Sequence, residues 1–105
     1  MNAIALVVGN SNYAFNAPSF VLKNPGNDAR GVAEALTRLG FFVNLYLDED
    51  ERSFRQHLHD FSTELNKYDN CLVYFAGHAI QIEGVNYLAA IDTSFEDESR
   101  TRLNI

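Results

Sequence analysis

The sequence has little of several things, and each shortage removes a class of protein. One cysteine, Cys71, in 105 residues rules out a disulfide within the chain and leaves no Cys/His pair at zinc spacing, so a reducing compartment, the cytoplasm, is expected. The apolar run Ala3 to Val8 is too short for a membrane span or a signal segment, and no basic stretch precedes it. Two prolines and six glycines are too few for a disordered or fibrous chain. Positive charge is scarce as well: eight basic against fourteen acidic side chains give a formal net charge of -6. That balance repels phosphate backbones and anionic lipid, so neither nucleic acid nor a membrane is expected as a partner. It favours cationic substrates, although surface charge of this size commonly serves solvation alone.

What is present is a globular composition, with 47% apolar and 21% charged residues. A chain of 105 residues has room for one core and buries about two-thirds of its unfolded surface.

Ile4 to Val8 is a continuous apolar run ended by Gly9-Asn10, the pattern of a strand buried on both faces. From Asn10 to Gly26 the pattern dissolves into Asn, Ser, Pro and Gly, and a loop this long in a compact domain is a candidate binding loop. Asn27 is the expected cap of a helix with apolar face Ala29, Val32, Ala33, Leu36 and Leu39, stopped by Gly40. Phe41 to Leu47 predicts a second strand. The acidic run Asp48 to Glu51 then opens a second helix, carrying Phe54, Leu58, Phe61 and Leu65. Cys71 to Ala76 predicts a third buried strand, with Cys71 a core thiol. Ile80 to Ile82 and Val85 to Ile91, separated by Glu83-Gly84, predict a hairpin. The alternation implies an α/β fold with a mostly parallel sheet and flanking helices.

Ligands of such sheets sit beyond the carboxyl ends of the strands. His78 lies there, and Gly77 is expected to let the chain turn sharply so that the imidazole stays open to solvent on a rigid scaffold. His57 and His59, two apart on the second helix, point to different faces and read as surface residues. Asp48 to Glu51 is a candidate calcium run, but it lacks the Gly and terminal Glu of an EF-hand loop, and helix-start charge is the better reading. No cofactor and no metal site are expected.

Tyr74-Phe75-Ala76-Gly77-His78, then Gln81, Asn86-Tyr87-Leu88 and Ile91-Asp92, resembles the histidine segment of the caspase and metacaspase families. Ala5 to Tyr13 and Leu22 to Ala29 resemble stretches of the bacterial members, so the likeness runs over nearly the whole chain in the correct order. It implies a three-layer α/β/α fold, here incomplete, with residues 1–105 as the N-terminal, large-subunit-like part of one domain. It also implies a cysteine endopeptidase, in which a thiolate attacks the peptide carbonyl and a histidine moves the protons. His78 takes that role by match, and the N–H of Ala79, where the family has Gly, is an oxyanion donor if its backbone angle suits a residue with a Cβ. The nucleophile falls roughly 50 residues after the histidine in such sequences, beyond Ile105. Cys71 is no substitute, lying more than roughly 20 Å from His78 by strand rise. Either a processed subunit or a fragment is therefore expected, with an unpaired strand edge that the C-terminal part of the domain or another chain would cover.

Among substrate-binding candidates, Asp28 matches the metacaspase position that lines the pocket for the residue before the scissile bond, which implies cleavage of protein or peptide after Arg or Lys. The same carboxylate also suits a helix N-terminus. Asn10 and Tyr13, with Phe15, stand in the first loop as further candidates, although aromatic residues beside a core commonly serve packing. The alternatives are a non-catalytic caspase-like adaptor or scaffold and, on strand-helix alternation alone, a receiver- or flavodoxin-like domain. The latter lacks a GxGxxG, a P-loop and an acidic pair after the first strand.

Overall fold

A computed structural model describes residues 2–13 and 24–93. The elements run β1 (Ala3–Gly9), α1 (Pro25–Arg38), β2 (Phe42–Leu47), α2 (Glu51–Glu64), a 3-10 turn (Leu65–Lys67), β3 (Asn70–Ala76), β4 (Ala79–Ile82) and β5 (Val85–Leu88). β2 and β3 both pair with β1 in parallel, giving the order β2-β1-β3, while β4 and β5 form a separate antiparallel hairpin. Because the second crossover runs back across the sheet, right-handed connections place α1 and α2 on opposite faces. The expected three-layer α/β arrangement is therefore present.

The central strand shows why. All seven residues of β1 are buried, and its alternation divides the core in two. Ile4, Leu6 and Val8 pack with Phe54 and Phe61 of α2 and with Leu88 and Ala90. Ala5 and Val7 pack with Ala29, Ala33 and Leu36 of α1. Gly9 ends the strand under the start of α1, where an added Cβ would stand 2.7 Å from Ala29 Cβ and 2.7 Å from Pro25 O.

The sequence expectation of three buried strands holds for β1 alone. Among the described residues β2 and β3 each have one neighbour, so Phe42 is 58% and Val73 52% exposed. Cys71, expected in the core, is exposed at the start of β3, its Sγ 3.8 Å from Leu65 O. A run of apolar residues marks a strand but does not say whether that strand is central or flanking.

α1 begins earlier than expected. Asn24, not Asn27, stands at the cap position in the left-handed region (φ 50) without a side-chain cap bond, and Pro25 supplies a pre-set first helical turn. Gly40 (φ 99) ends the helix region as expected. Asp50 caps α2 by accepting from Ser53 N at 2.8 Å, and its carboxyl is held low chiefly by that bond. The hairpin closes with Glu83 (φ 50) and Gly84 (φ 79), both left-handed, as a two-residue turn of the I′ kind demands. β5 stops at Leu88 rather than Ile91, since Ala89 and Ala90 turn into the core. No helix among the described residues is long and apolar enough to cross a membrane.

Two substitutions check this account by thermal denaturation. Gly9→Ala is expected to cost about 1–3 kcal/mol because both atoms it meets are fixed, and no loss of stability would show that α1 can retreat. Glu83→Asn is expected to add about 0.5–1 kcal/mol, since Asn tolerates the left-handed region better.

Candidate active site

The site is built where β1 ends. Asn10 is 0% exposed, and its backbone N–H and both polar atoms of its side chain are engaged across chain segments. Its N–H donates to Ala76 O (2.8 Å), extending the ladder to β3. Its Oδ1 accepts from Glu49 N (2.9 Å) and its Nδ2 donates to Ala89 O (3.1 Å). Asn10 lies under the site and fastens the segments after β1, β2 and β5 to one another.

Asp48 leaves β2 in the left-handed region (φ 57), which short polar side chains tolerate. Its carboxylate accepts from Ser11 N (2.9 Å), Asn12 N (3.1 Å) and Asn12 Nδ2 (2.7 Å). Partial burial pushes the Asp48 carboxyl up, but those hydrogen bonds outweigh it and hold the group below the usual range. Ser11 Oγ accepts from Gly26 N at 3.1 Å, fastening the loop to the first turn of α1. Sequence reasoning missed Asp48 as an organiser, because a run of four acidic residues looks uniform.

The four carboxylates of that run in fact diverge. Asp48 holds the β1 loop and Asp50 caps α2. Glu51 pairs with Arg55 (3.0 Å), and Glu49, 7% exposed, meets His57 Nδ1 at 2.7 Å without the alignment of a hydrogen bond. No group of three potential metal ligands converges among the described residues. His57, expected on the surface, is half-buried and stacks on Tyr46 with ring centroids 3.6 Å apart, whereas His59 is exposed.

His78 follows β3 and is 8% exposed; the solvent-open imidazole expected from the turn is absent. Tyr13 covers it, with ring centroids 4.8 Å apart. The Tyr13 hydroxyl accepts from His78 N (2.7 Å) and donates to Ala89 O (3.2 Å). Burial pushes the Tyr13 phenol up to about 12, so the hydroxyl keeps the proton it donates. Tyr13, expected to wall a substrate cleft, here clamps the histidine loop. Burial also lowers the His78 imidazole below its ordinary value, favouring the neutral ring.

Gly77 makes room for the Tyr13 hydroxyl and the Phe75 ring rather than serving a positive backbone angle. Its φ is not positive, but a Cβ there would stand 2.6 Å from Tyr13 Oη and 2.7 Å from the Phe75 ring. Ala79 likewise has no positive φ, so its Cβ brings no backbone strain. His78 O accepts from Ala89 N at 2.9 Å. Alternation along the antiparallel pair therefore makes Ala79 and Leu88 a non-hydrogen-bonded pair and turns the Ala79 N–H away from β5.

Asp28 lies exposed in the first turn of α1. A cleft of about 190 Å³ beyond β1 and β2, lined by Ser11, Asn12, Asn27, Arg30 and Asp48 among others, contains neither Asp28 nor His78. Hydrogen bonds and a ring contact thus connect Asn10, Tyr13 and His78, with Gly77 and Ala79 on either side of the histidine, and among the described residues no hydrogen bond or ring contact links Asp28 to them. Phe15 lies outside the described residues. Asp92, at the end of the hairpin segment, accepts from Glu51 N at 2.8 Å and so ties that segment to the start of α2.

Three measurements probe the network. Asn10→Ala strands the Glu49 N–H and leaves the Ala89 carbonyl with the Tyr13 hydroxyl as its remaining donor, an expected loss of about 1–3 kcal/mol by denaturant titration. Tyr13→Phe removes the acceptor of the His78 N–H, an expected loss of about 1–2 kcal/mol. Because the His78 pKa is lowered from 6.5, the unfolded chain binds the extra proton, and stability falls as pH drops through that value toward the folded pKa. His78→Gln should flatten this slope in melts taken across that range, and an unchanged slope would place its origin elsewhere.

A family model described as the caspase domain matches residues 2–103 of the chain. No curated protein matches the sequence.

Proposed function

Since the chain belongs to the caspase-domain family of cysteine peptidases, we propose that it supplies the histidine side of a Cys-His endopeptidase centre, with the cysteine in polypeptide following Ile105. The observation that carries this reading is the held imidazole. His78 is fixed at the carboxyl end of a central-sheet strand by Tyr13, beside an Ala79 N–H turned away from its own hairpin.

A neutral imidazole accepts the thiol proton. The thiolate then adds to the scissile carbonyl, and the imidazolium returns the proton to the leaving amine as the C–N bond breaks and the thioester forms. The neutral ring next takes a proton from water, whose oxygen attacks the thioester and frees the cysteine. Ala79 N–H stabilises the oxyanion in both steps. Gly77 keeps the turn narrow. Asp28 recognises an Arg or Lys before the scissile bond through a paired carboxylate–cation contact. The centre needs no cofactor and no metal, and a reducing, cytoplasmic setting suits its thiol chemistry. The exposed edge of β3, with Leu72 37% and Val73 52% exposed, is where the C-terminal part of the domain, or another chain, adds its strands.

A second reading, a non-catalytic caspase-like scaffold, is favoured by the burial of His78, because a ring this enclosed reaches substrate only after Tyr13 shifts. One experiment separates the two. The chain is expressed with the coding sequence that follows Ile105 and assayed on peptides ending in Arg, Lys or Asp. The protease reading expects cleavage after Arg and Lys, a fall of about 10²–10⁴-fold in His78→Ala, and a loss in Asp28→Ala confined to the basic peptides. Turnover unchanged in His78→Ala removes that histidine from the mechanism, and cleavage only after Asp ends the specificity proposal.

A further inference from the structure

β2 has an unpaired edge of an uncommon kind. Among the described residues its sole strand neighbour is β1, and its sequence, Phe42-Val43-Asn44-Leu45-Tyr46-Leu47, contains none of the Lys, Pro or Gly residues that keep edges from pairing. Asp48 N donates to Gly9 O, so alternation turns the amides of Phe42, Asn44 and Tyr46 toward β1. Those of Val43, Leu45 and Leu47 then point outward with their carbonyls.

A cleft lies on each side of this edge. On the α1 face, Val43 and Leu45 floor a cleft of about 570 Å³ flanked by Arg30, Glu34 and Arg38. On the α2 face, Phe42, Asn44 and Tyr46 line a cleft of about 320 Å³ with Tyr68, Asp60 and Glu64. Successive side chains of an added strand would enter the two clefts in turn.

The clefts differ in charge. Glu34 offsets one arginine, leaving the α1 side net positive. On the α2 side Lys67 pairs with Glu64 at 3.2 Å, but Asp60 is contacted by neutral Gln56 at 2.9 Å, and aromatic rings beside a carboxylate suit a Lys or Arg. A second copy of the chain fits poorly. Two-fold pairing sets α1 flank against α1 flank and α2 flank against α2 flank, like charge against like, in a molecule of net charge -6.

We propose that the free edge of β2 docks an extended segment of a separate protein, paired through the outward amides of Val43, Leu45 and Leu47. Carboxylate and apolar side chains of that segment lie over α1, and a Lys or Arg of its other face enters the Tyr46–Tyr68–Asp60 cleft. This is strand addition with sorting of charge by face, and it does not depend on the peptidase reading.

The test uses the 105-residue chain and two short fluorescein-labelled peptides of one composition, one alternating Glu and Lys between Val ends, the other carrying them in two blocks. In anisotropy titrations the alternating peptide should bind about tenfold more tightly than the block peptide, a register-independent difference because only alternation sorts charge by face. Arg38→Glu and Asp60→Lys, both at exposed helix positions, should each weaken the alternating peptide several-fold without altering the melt. Leu45→Pro, which deletes one outward donor, should abolish binding. On binding, hydrogen exchange should slow at Val43, Leu45 and Leu47 and stay unchanged at Asn44 and Tyr46. No binding of either peptide, equal binding of both, insensitivity to the two charge reversals, or self-association of the chain that Leu45→Pro abolishes would each overturn the proposal.

Discussion

The buried amide of Asn10 is the constraint on which the rest of the structure depends. A parallel sheet satisfies its own backbone only as far as the strands run, and just past β1 the neighbouring chains leave in different directions. At that point Asn10 offers one backbone donor, one side-chain donor and one acceptor, and Ala76, Ala89 and Glu49 take them. A carboxylate would face the Ala89 carbonyl with no proton to give. An aliphatic side chain would leave the Glu49 N–H without its acceptor and the Ala89 carbonyl with the Tyr13 hydroxyl alone, and an unpaired buried donor costs more than the net worth of the bond it lost.

The histidine loop inherits its position from that junction. Ala89 is held by Asn10 and by the Tyr13 hydroxyl, and Ala89 N in turn donates to His78 O. Tyr13 reaches back from the β1 loop to hold the His78 N–H, while Asp48 holds the same loop from the other side. Backbone from three parts of the chain is thus locked around one imidazole, and Gly77 is the residue small enough to pass between Tyr13 and Phe75. The burial that accompanies this rigidity lowers the ring's basicity.

Firmness at the centre contrasts with openness at the flanks. β1 is enclosed by a strand on each side and a helix on each face, whereas among the described residues β2 and β3 each keep a free edge with large apolar side chains in solvent. Backbone pairing is therefore available on both sides of a fixed centre. The β3 edge is continuous with the histidine turn, and the β2 edge lies between two clefts of opposite charge.

Much of the architecture was legible in the residues. The unbroken run Ile4 to Val8, the three-four spacing from Ala29 to Leu36, the acidic start of α2 and the Glu83-Gly84 turn are local patterns, and local backbone and solvent preferences decide them. Motif order also pointed to the family and to His78. What the sequence did not determine is everything that depends on which segments become neighbours. That includes the exposure of Cys71 on a flanking strand, the start of α1 at Pro25, the burial of His78 under Tyr13 and the divergence of Asp48 to Glu51. It also includes the burial of Asn10 at the junction of three chain segments. Periodicity reports which face of an element avoids water, but hydrogen bonds between residues as far apart as Asn10 and Ala89 exist only after the sheet has brought them together, so tertiary structure alone decided them.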